Sequence, residues 1–366
     1  MKIVLQISLI FFCIVSIAEA RATYNFNSDW RLFVGDAKGA EAPNFDDSSW
    51  KIVTTPNAWN EDDAFKKDIV DLSTGIAWYR KHFKLPANST NKKVFLEFEG
   101  IRQAGEFYLN GKFIGLHENG ITAIGYDISD LLKPGENVVA VRINNDWDYK
   151  EKSSGDKFQW SDRNFNANYG GINKNVFLHI SDKVYQTFPL YTNLGTTGVY
   201  VYATDFDIKN KSAKITAESE VKNESATAKN INYEVTIKEL SGKLVKKING
   251  GQLTIQPNET RKISASSLVN NLEFWSWGYG YLYDVTTTLK IDNKEVDSVT
   301  TRTGFRKTEF GNGLFKLNDR TLQVKGYAQR TTNEWIALGS PVPAWLSDFS
   351  NKLMVESNAN LVRWMH

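Results

Sequence analysis

"KVFLEFEGIRQAGEFYLNGKFIG", residues Lys93 to Gly115, decides the fold of this chain. Its opening residues alternate, Val94, Leu96 and Phe98 on one side and Phe95, Glu97 and Glu99 on the other. This predicts a strand with one face fully buried and the other mixed. Asn110-Gly111 then falls between two apolar runs. That pair is a strong hairpin signal, because a type I′ turn needs positive φ at both central residues. Further along, "GYDISDLLKPGENVVAVRINN" (Gly125 to Asn145) adds a Pro134-Gly135 turn and a strand over Val138 to Ile143. Short strands at this spacing predict an antiparallel sandwich.

A second β region follows "LHISDKVYQTFPL" (Leu178 to Leu190), where Pro189 breaks the pattern. From Val199 to Thr301 alternating runs recur as "GVYVYATDFDI", "AKITAESEVKN", "INYEVTIKEL", "GQLTIQPNETRKISA" and "YDVTTTLKI". Five or more strands over this length predict an immunoglobulin-like sandwich.

The pattern changes at Gly304. "LFKLNDRTLQVKGYAQ" (Leu314 to Gln329) holds a hairpin around Asn318-Asp319 and then a strand. Next, Pro343 suits a first helical turn, and Trp345, Phe349 and Leu353 repeat at i, i+4, i+8 as one apolar stripe. "LVRWMH" (Leu361 to His366) reads as another strand, so the segment is a βαβ unit, which belongs to a parallel sheet.

The first twenty residues stand outside this scheme. Lys2, the apolar run Ile3 to Ile17 and the small-x-small Ala18-Glu19-Ala20 read as a secretory signal peptide, which predicts a secreted or periplasmic protein. The run is short of the ~20 residues of a spanning helix, so no membrane partner is expected after cleavage. Cys13 is the only cysteine and lies in that segment, leaving the mature chain no disulfide and no Cys-based metal site. With 44 basic and 42 acidic residues and no block of like charge, nucleic-acid binding is not supported. The aromatic share of 13% serves sandwich cores and sugar stacking alike.

In this order and spacing, the motifs resemble glycoside hydrolase family 2, which contains β-galactosidases, β-glucuronidases and β-mannosidases. "GIAWYRKHFKLP", "LEFEGIRQAGEFYLNGKFIG", "DISDLLKPGENVVAVRINN" and "GGINKNVFLHI" look like its jelly-roll sugar-binding domain. "WSWGYGYLYDVTTTL" is similar to its second domain, although the family's proline is absent, and "TGFRKTEF" with "FKLNDRTLQVKGYAQR" resembles the entry into its catalytic barrel. The resemblance implies a mainly β fold: signal peptide 1–20, jelly-roll sugar-binding sandwich 21–183, immunoglobulin-like sandwich 184–302, and at 303–366 the first βαβ unit of a TIM barrel. That last stretch is roughly a quarter of the about 250 residues of a complete barrel.

The resemblance also implies retaining hydrolysis of O-glycosyl bonds by two glutamates about 5–5.5 Å apart. Both are expected beyond His366, so the chain is expected to be an N-terminal portion that is inactive alone. No cofactor is implied, and the expected partner is a β-linked oligosaccharide, with a galactoside preferred. Homo-oligomerisation of a full-length form stays open. A non-catalytic secreted carbohydrate-binding or scaffold protein is the second class.

Arg363 and His366 match the family's Val-Arg-x-x-His at the end of the second barrel strand, where residues line the sugar pocket. Arg330 is a weaker match, because the family's Gly-Val-Asn-Arg-His is replaced by "GYAQR". Glu334 lies in an Asn-Glu pair like that of the acid/base, but it follows the first strand rather than the fourth. It is expected to touch substrate or to structure or merely solvate its loop. Trp335 suits a sugar platform or packing. In the long loop Asn145 to Gly171, Trp160, Asp162, Asn166 and Tyr169 are substrate-contact candidates against a reading as an ordered surface loop. His82, His117 and His179 have no ligand spacing, and Asn88, Asn210, Asn223 and Asn258 begin N-x-Ser/Thr sequons.

Overall fold

A computed structural model describes residues 20–66, 71–120, 122–157, 168–189, 193–330 and 344–365. The expected signal peptide, apart from its last residue Ala20, lies outside the described residues.

Strand Lys93–Phe98 forms as the alternation predicts and sits inside a four-stranded antiparallel sheet. The order is Arg21–Asn25, Val176–Ser181, Lys93–Phe98, Ile124–Asp127. Facing it is a six-stranded sheet ordered Lys51–Val53, Trp30–Val34, Ile76–Lys84, Glu136–Asn144, Gly105–Leu109, Lys112–His117. Leu96 and Phe98 are wholly buried against Trp30, Phe107 and neighbours from both sheets. Each fully buried side chain of this size contributes about 1.5–3 kcal/mol of transfer free energy. The hairpin turns on Asn110 and Gly111 at φ 52° and 86°, as a type I′ turn demands.

The other face of Lys93–Phe98 is mixed, as the alternation predicts. Phe95 packs on Tyr185 and Phe188, which lead into the next sandwich, and Glu97 is covered by His179 at 2.6 Å. The face is thus mixed, with Phe95 buried where the second sandwich docks and Glu97 half-buried.

That second sandwich faces two antiparallel sheets. In one, Ser212–Asn223 takes Val199–Asp207 and Val184–Gln186 along one edge and Thr260–Val269 along the other. The other is ordered Leu244–Ile255, Lys229–Glu239, Tyr283–Ile291, Lys294–Thr303. Ile215, Tyr233, Val235 and Val285 close its core. Arg21, at the start of the first sandwich, reaches across to Asp297 of the second at 2.7 Å.

A small three-stranded sheet follows, Thr308–Gly311, Leu314–Leu317 and Arg320–Thr321, with its turn at Asn318 and Asp319 in positive φ. Strands Gly326–Arg330 and Leu361–Met365 then pair in parallel, joined through helix Ala344–Glu356. The predicted βαβ unit is therefore present. Its helical stripe is half exposed: Trp345 54%, Phe349 55% and Leu353 48%. Among the described residues no helix is long and apolar enough to cross a membrane.

Candidate functional site

Two places carry candidate chemistry. The first is the base of the long loop. Its ends meet in a knot of buried asparagines, Asn60, Asn145 and Asn168. The carbonyl of Asn168 accepts from Asn60 Nδ2 at 2.9 Å and Asn145 Nδ2 at 3.0 Å. Asn168 Nδ2 returns a bond to the Asn145 carbonyl at 2.6 Å, and Asn60 Oδ1 accepts from the Gly170 amide at 3.1 Å. Side-chain amides suit this place because each offers a donor and an acceptor to backbone that has left the ladder.

Two glycines are required here. A Cβ at Gly170 would stand 2.5 Å from Asn145 Nδ2 and from Trp59 Nε1. Gly171 has φ 138°, and its Cβ would stand 2.5 Å from Tyr79 OH and the Asn57 carbonyl.

Charged groups border the knot. Arg102 is 4% exposed, its Nε 3.5 Å from Asn168 Oδ1, and burial lowers its pKa to about 10, so it remains a cation at neutral pH. Glu61 accepts from Asn57 Nδ2 at 3.4 Å, and burial pushes its carboxyl above the usual range. Trp59 Nε1 is a buried donor with no partner among the described residues. On its outer side the loop is latched to Glu118, which accepts from Tyr149 OH at 2.6 Å and from the Lys152 amide at 2.7 Å.

Of the loop candidates, Trp160, Asp162 and Asn166 lie outside the described residues. Tyr169 is only 5% exposed, against the expectation of a substrate contact there, since its ring offers a ligand almost no area.

The second place is the parallel strand pair. Its register sets Ala328 opposite Arg363 and Arg330 opposite Met365. Arg363 is exposed, and a guanidinium offers five donors in a fixed fork suited to hydroxyl or carboxylate oxygens. Arg330 ends the first strand, with only its backbone described; Glu334, Trp335 and His366 lie outside the described residues. The strands are positioned from the second sandwich, where Trp277 Nε1 donates to the Ala359 carbonyl at 3.2 Å and Asn318 Nδ2 to the Trp275 carbonyl at 3.0 Å. Asn360 then ties the turn to the first strand, accepting from the Lys325 amide at 2.9 Å.

The other histidines are bonded within the fold: His82 to Asp47 at 2.9 Å, His179 to Glu97 at 2.6 Å and His117 to the Thr122 carbonyl at 3.1 Å. No cluster able to hold a metal occurs among the described residues. Asn223 is fully buried with its amide bonded to the Ile255 and Thr227 carbonyls, so its sequon is inaccessible in the fold. The asparagine knot and its charged border escape sequence reasoning, although asparagines at element boundaries, Asn60 before the turn Glu61–Phe65 and Asn145 after the strand Glu136–Asn144, are the signal that points to them.

Two family models match in the same order as the two sandwiches. Residues 60–177 match the glycosyl hydrolase 2 galactose-binding domain-like model, and 199–306 match glycosyl hydrolases family 2. The chain belongs to glycosyl hydrolase family 2. A β-glucuronidase of Formosa agariphila is 37% identical over 95% of this chain and 36% of its own length. A β-galactosidase of Thermoanaerobacter pseudethanolicus is 27% identical over 94% of this chain and 44% of its own. Among solved structures, a family 2 β-glucuronidase aligns at TM-score 0.86 and 36% identity, covering 95% of this chain and 37% of that one. Bacteroides uniformis β-glucuronidase 2, covalently bound to cyclophellitol-6-carboxylate aziridine, aligns at TM-score 0.79 and 26% identity, covering 94% and 40%. The family 2 chain thus spans 36% to 44% of the length of these relatives.

Proposed function

We propose that this chain is the substrate-facing, non-catalytic portion of a secreted, retaining β-glycosidase of family 2. The observation that carries this reading is the shared order of two sandwiches and a parallel βαβ unit, aligned over 95% of the chain with a β-glucuronidase at TM-score 0.86. In such an enzyme the sandwiches position loops around a barrel whose two carboxylates perform double displacement: one attacks the anomeric carbon while the other protonates the leaving oxygen, then activates water. Among the described residues of the βαβ unit the carboxylates are Asp348 and Glu356, both on its helix. The catalytic pair belongs to the part of the relatives that this chain does not cover. Arg363, midway along the strand Leu361–Met365, is the group here that meets the sugar.

The relatives divide between glucuronide and galactoside. We favour a β-glucuronide over the galactoside that the resemblance implies, a reading supported by 37% identity to a β-glucuronidase against 27% to a β-galactosidase. The test joins this chain, in frame, to the uncovered C-terminal remainder of the Formosa agariphila β-glucuronidase, and assays 4-nitrophenyl β-glucuronide and β-galactoside. Turnover of the glucuronide with a higher kcat/KM supports the reading. A folded fusion that turns over neither substrate, or prefers the galactoside, contradicts it.

A further inference from the structure

At the far end of the first sandwich from the long loop lies a cavity of about 690 Å³. Strand Ile76–Lys84 runs between the two places: Ile76 pairs with Asn144 at the loop end, and Lys84 opens on the cavity. At ~3.3 Å per residue that separates them by roughly 26 Å. The cavity is therefore a different site from the loop base.

Its wall is strongly cationic. Lys84, Lys92, Lys93, Lys133 and Lys183 line it, against the carboxylates of Asp130 and Glu224. Glu224 is already neutralised, paired with Lys93 at 3.1 Å and Lys222 at 2.8 Å, while Lys92 holds Asp182 at 3.0 Å. Lys84, Lys133 and Lys183 have no ion-pair partner among the described residues, and they come from separate segments: a strand end, the turn before Glu136, and the link between the sandwiches. Ser89, also in the wall, has its Oγ buried without a hydrogen-bond partner. Among the described residues no aromatic ring lines the cavity, and its apolar surface comes from Leu85, Pro86, Ala87, Val94, Leu132 and Pro134.

We propose that this cavity between the sandwiches is an anion-selective glycan site, taking a short oligosaccharide that carries carboxylate or sulfate groups. Three uncommitted ammonium groups on different walls match several anionic groups along one molecule, and the volume falls in the range of small-molecule sites and far exceeds one inorganic anion. Without an aromatic platform, recognition rests on charge and hydroxyl contacts rather than ring stacking. A concave pocket in a chain of net charge +2 suits a short ligand better than a nucleic-acid duplex, which needs an extended basic face.

The test is calorimetric titration of the chain with an oligogalacturonate, a sulfated galactan oligosaccharide, a neutral galactan oligosaccharide of equal length, and duplex DNA. It reads binding without hydrolysis, so it succeeds or fails independently of the glycosidase reading. Binding of either acidic glycan, with the neutral one at least about tenfold weaker, is expected; which acid binds identifies the source of the charge. The Lys84→Ala, Lys133→Ala, Lys183→Ala triple variant should lose affinity by about tenfold or more, and the single reversal Lys183→Glu should lose it too. Replacing exposed Lys209, Lys214 and Lys294 on the second sandwich should leave it unchanged. Equal binding of the neutral glycan, preference for DNA, no binding of any acidic glycan, or full affinity in both cavity variants would overturn the proposal.

Discussion

Replacing Asp297 with Ala should uncouple the two sandwiches. Its carboxylate is wholly buried and accepts from Arg21 Nε at 2.7 Å, Arg21 Nη2 at 2.9 Å, the Gln186 amide at 2.8 Å and Gln186 Nε2 at 3.2 Å. Arg21 opens the first sandwich, Gln186 lies on an edge strand of one sheet of the second, and Asp297 is on the opposite sheet. One carboxylate thus ties three elements. Removing it leaves a guanidinium that is only 13% exposed with the Gln186 carbonyl alone, deprives the Gln186 amide of its acceptor and leaves Gln186 Nε2 the Thr287 carbonyl at 3.2 Å. Breaking a buried pair from one side costs about 3–5 kcal/mol, or two to four decades in the folding equilibrium at about 1.4 kcal/mol per decade. Arg21→Ala should cost less, about 2–3 kcal/mol, because Asp297 keeps both Gln186 donors. The Arg21 guanidinium also sits 4.6 Å over the Phe188 ring, so part of its loss is packing. Since each single variant already breaks the pair, the double variant should fall short of the summed losses by about 0.5–3 kcal/mol. Scanning calorimetry reads this directly: a single transition in the parent should split into two in Asp297→Ala. One unsplit transition within about 0.5 kcal/mol of the parent would refute the reasoning, as would strict additivity of the two variants.

Gly170→Ala should cost at least about 2 kcal/mol in urea unfolding, because its Cβ would stand 2.5 Å from the buried Asn145 and from Trp59 Nε1; a loss below about 0.5 kcal/mol would show that the knot can yield. Glu61 gives a pH test. Its folded-state pKa is raised by burial, so the native state binds the proton more tightly, and this contribution is present at acid pH and lost as pH rises through the raised value. Glu61→Gln should therefore raise Tm at pH 7.5 while leaving it nearly unchanged at pH 4, and an equal shift at both would contradict the assignment. Phe349→Glu with Leu353→Glu should lower binding of a hydrophobic dye and light scattering while the far-ultraviolet spectrum holds, since both side chains are about half exposed.

The local elements were legible because their causes are local. Asn110-Gly111 and Asn318-Asp319 carry their turn chemistry in adjacent residues, and Trp345, Phe349 and Leu353 carry their helix in their spacing. Long-range partnerships were not. Asn60 meets the Gly170 amide across 110 positions and Arg21 meets Asp297 across 276, and no pattern within a strand specifies either. Phe95 illustrates the same limit, since its burial depends on which surface docks over it. Tyr169 reads as a substrate-contact candidate from its loop alone, and its burial goes with the neighbouring Asn168, whose carbonyl is held by Asn60 and Asn145. Arg363 was found through a family motif, and the strand register then placed it.

The most direct test of the account is the stereochemistry of the joined enzyme beside the chain alone. Proton NMR of β-glucuronide hydrolysis should show the β-anomer as the first-formed product of the fusion, and the 366-residue chain by itself should release none. First formation of the α-anomer, or turnover that stays with the purified chain, would contradict it.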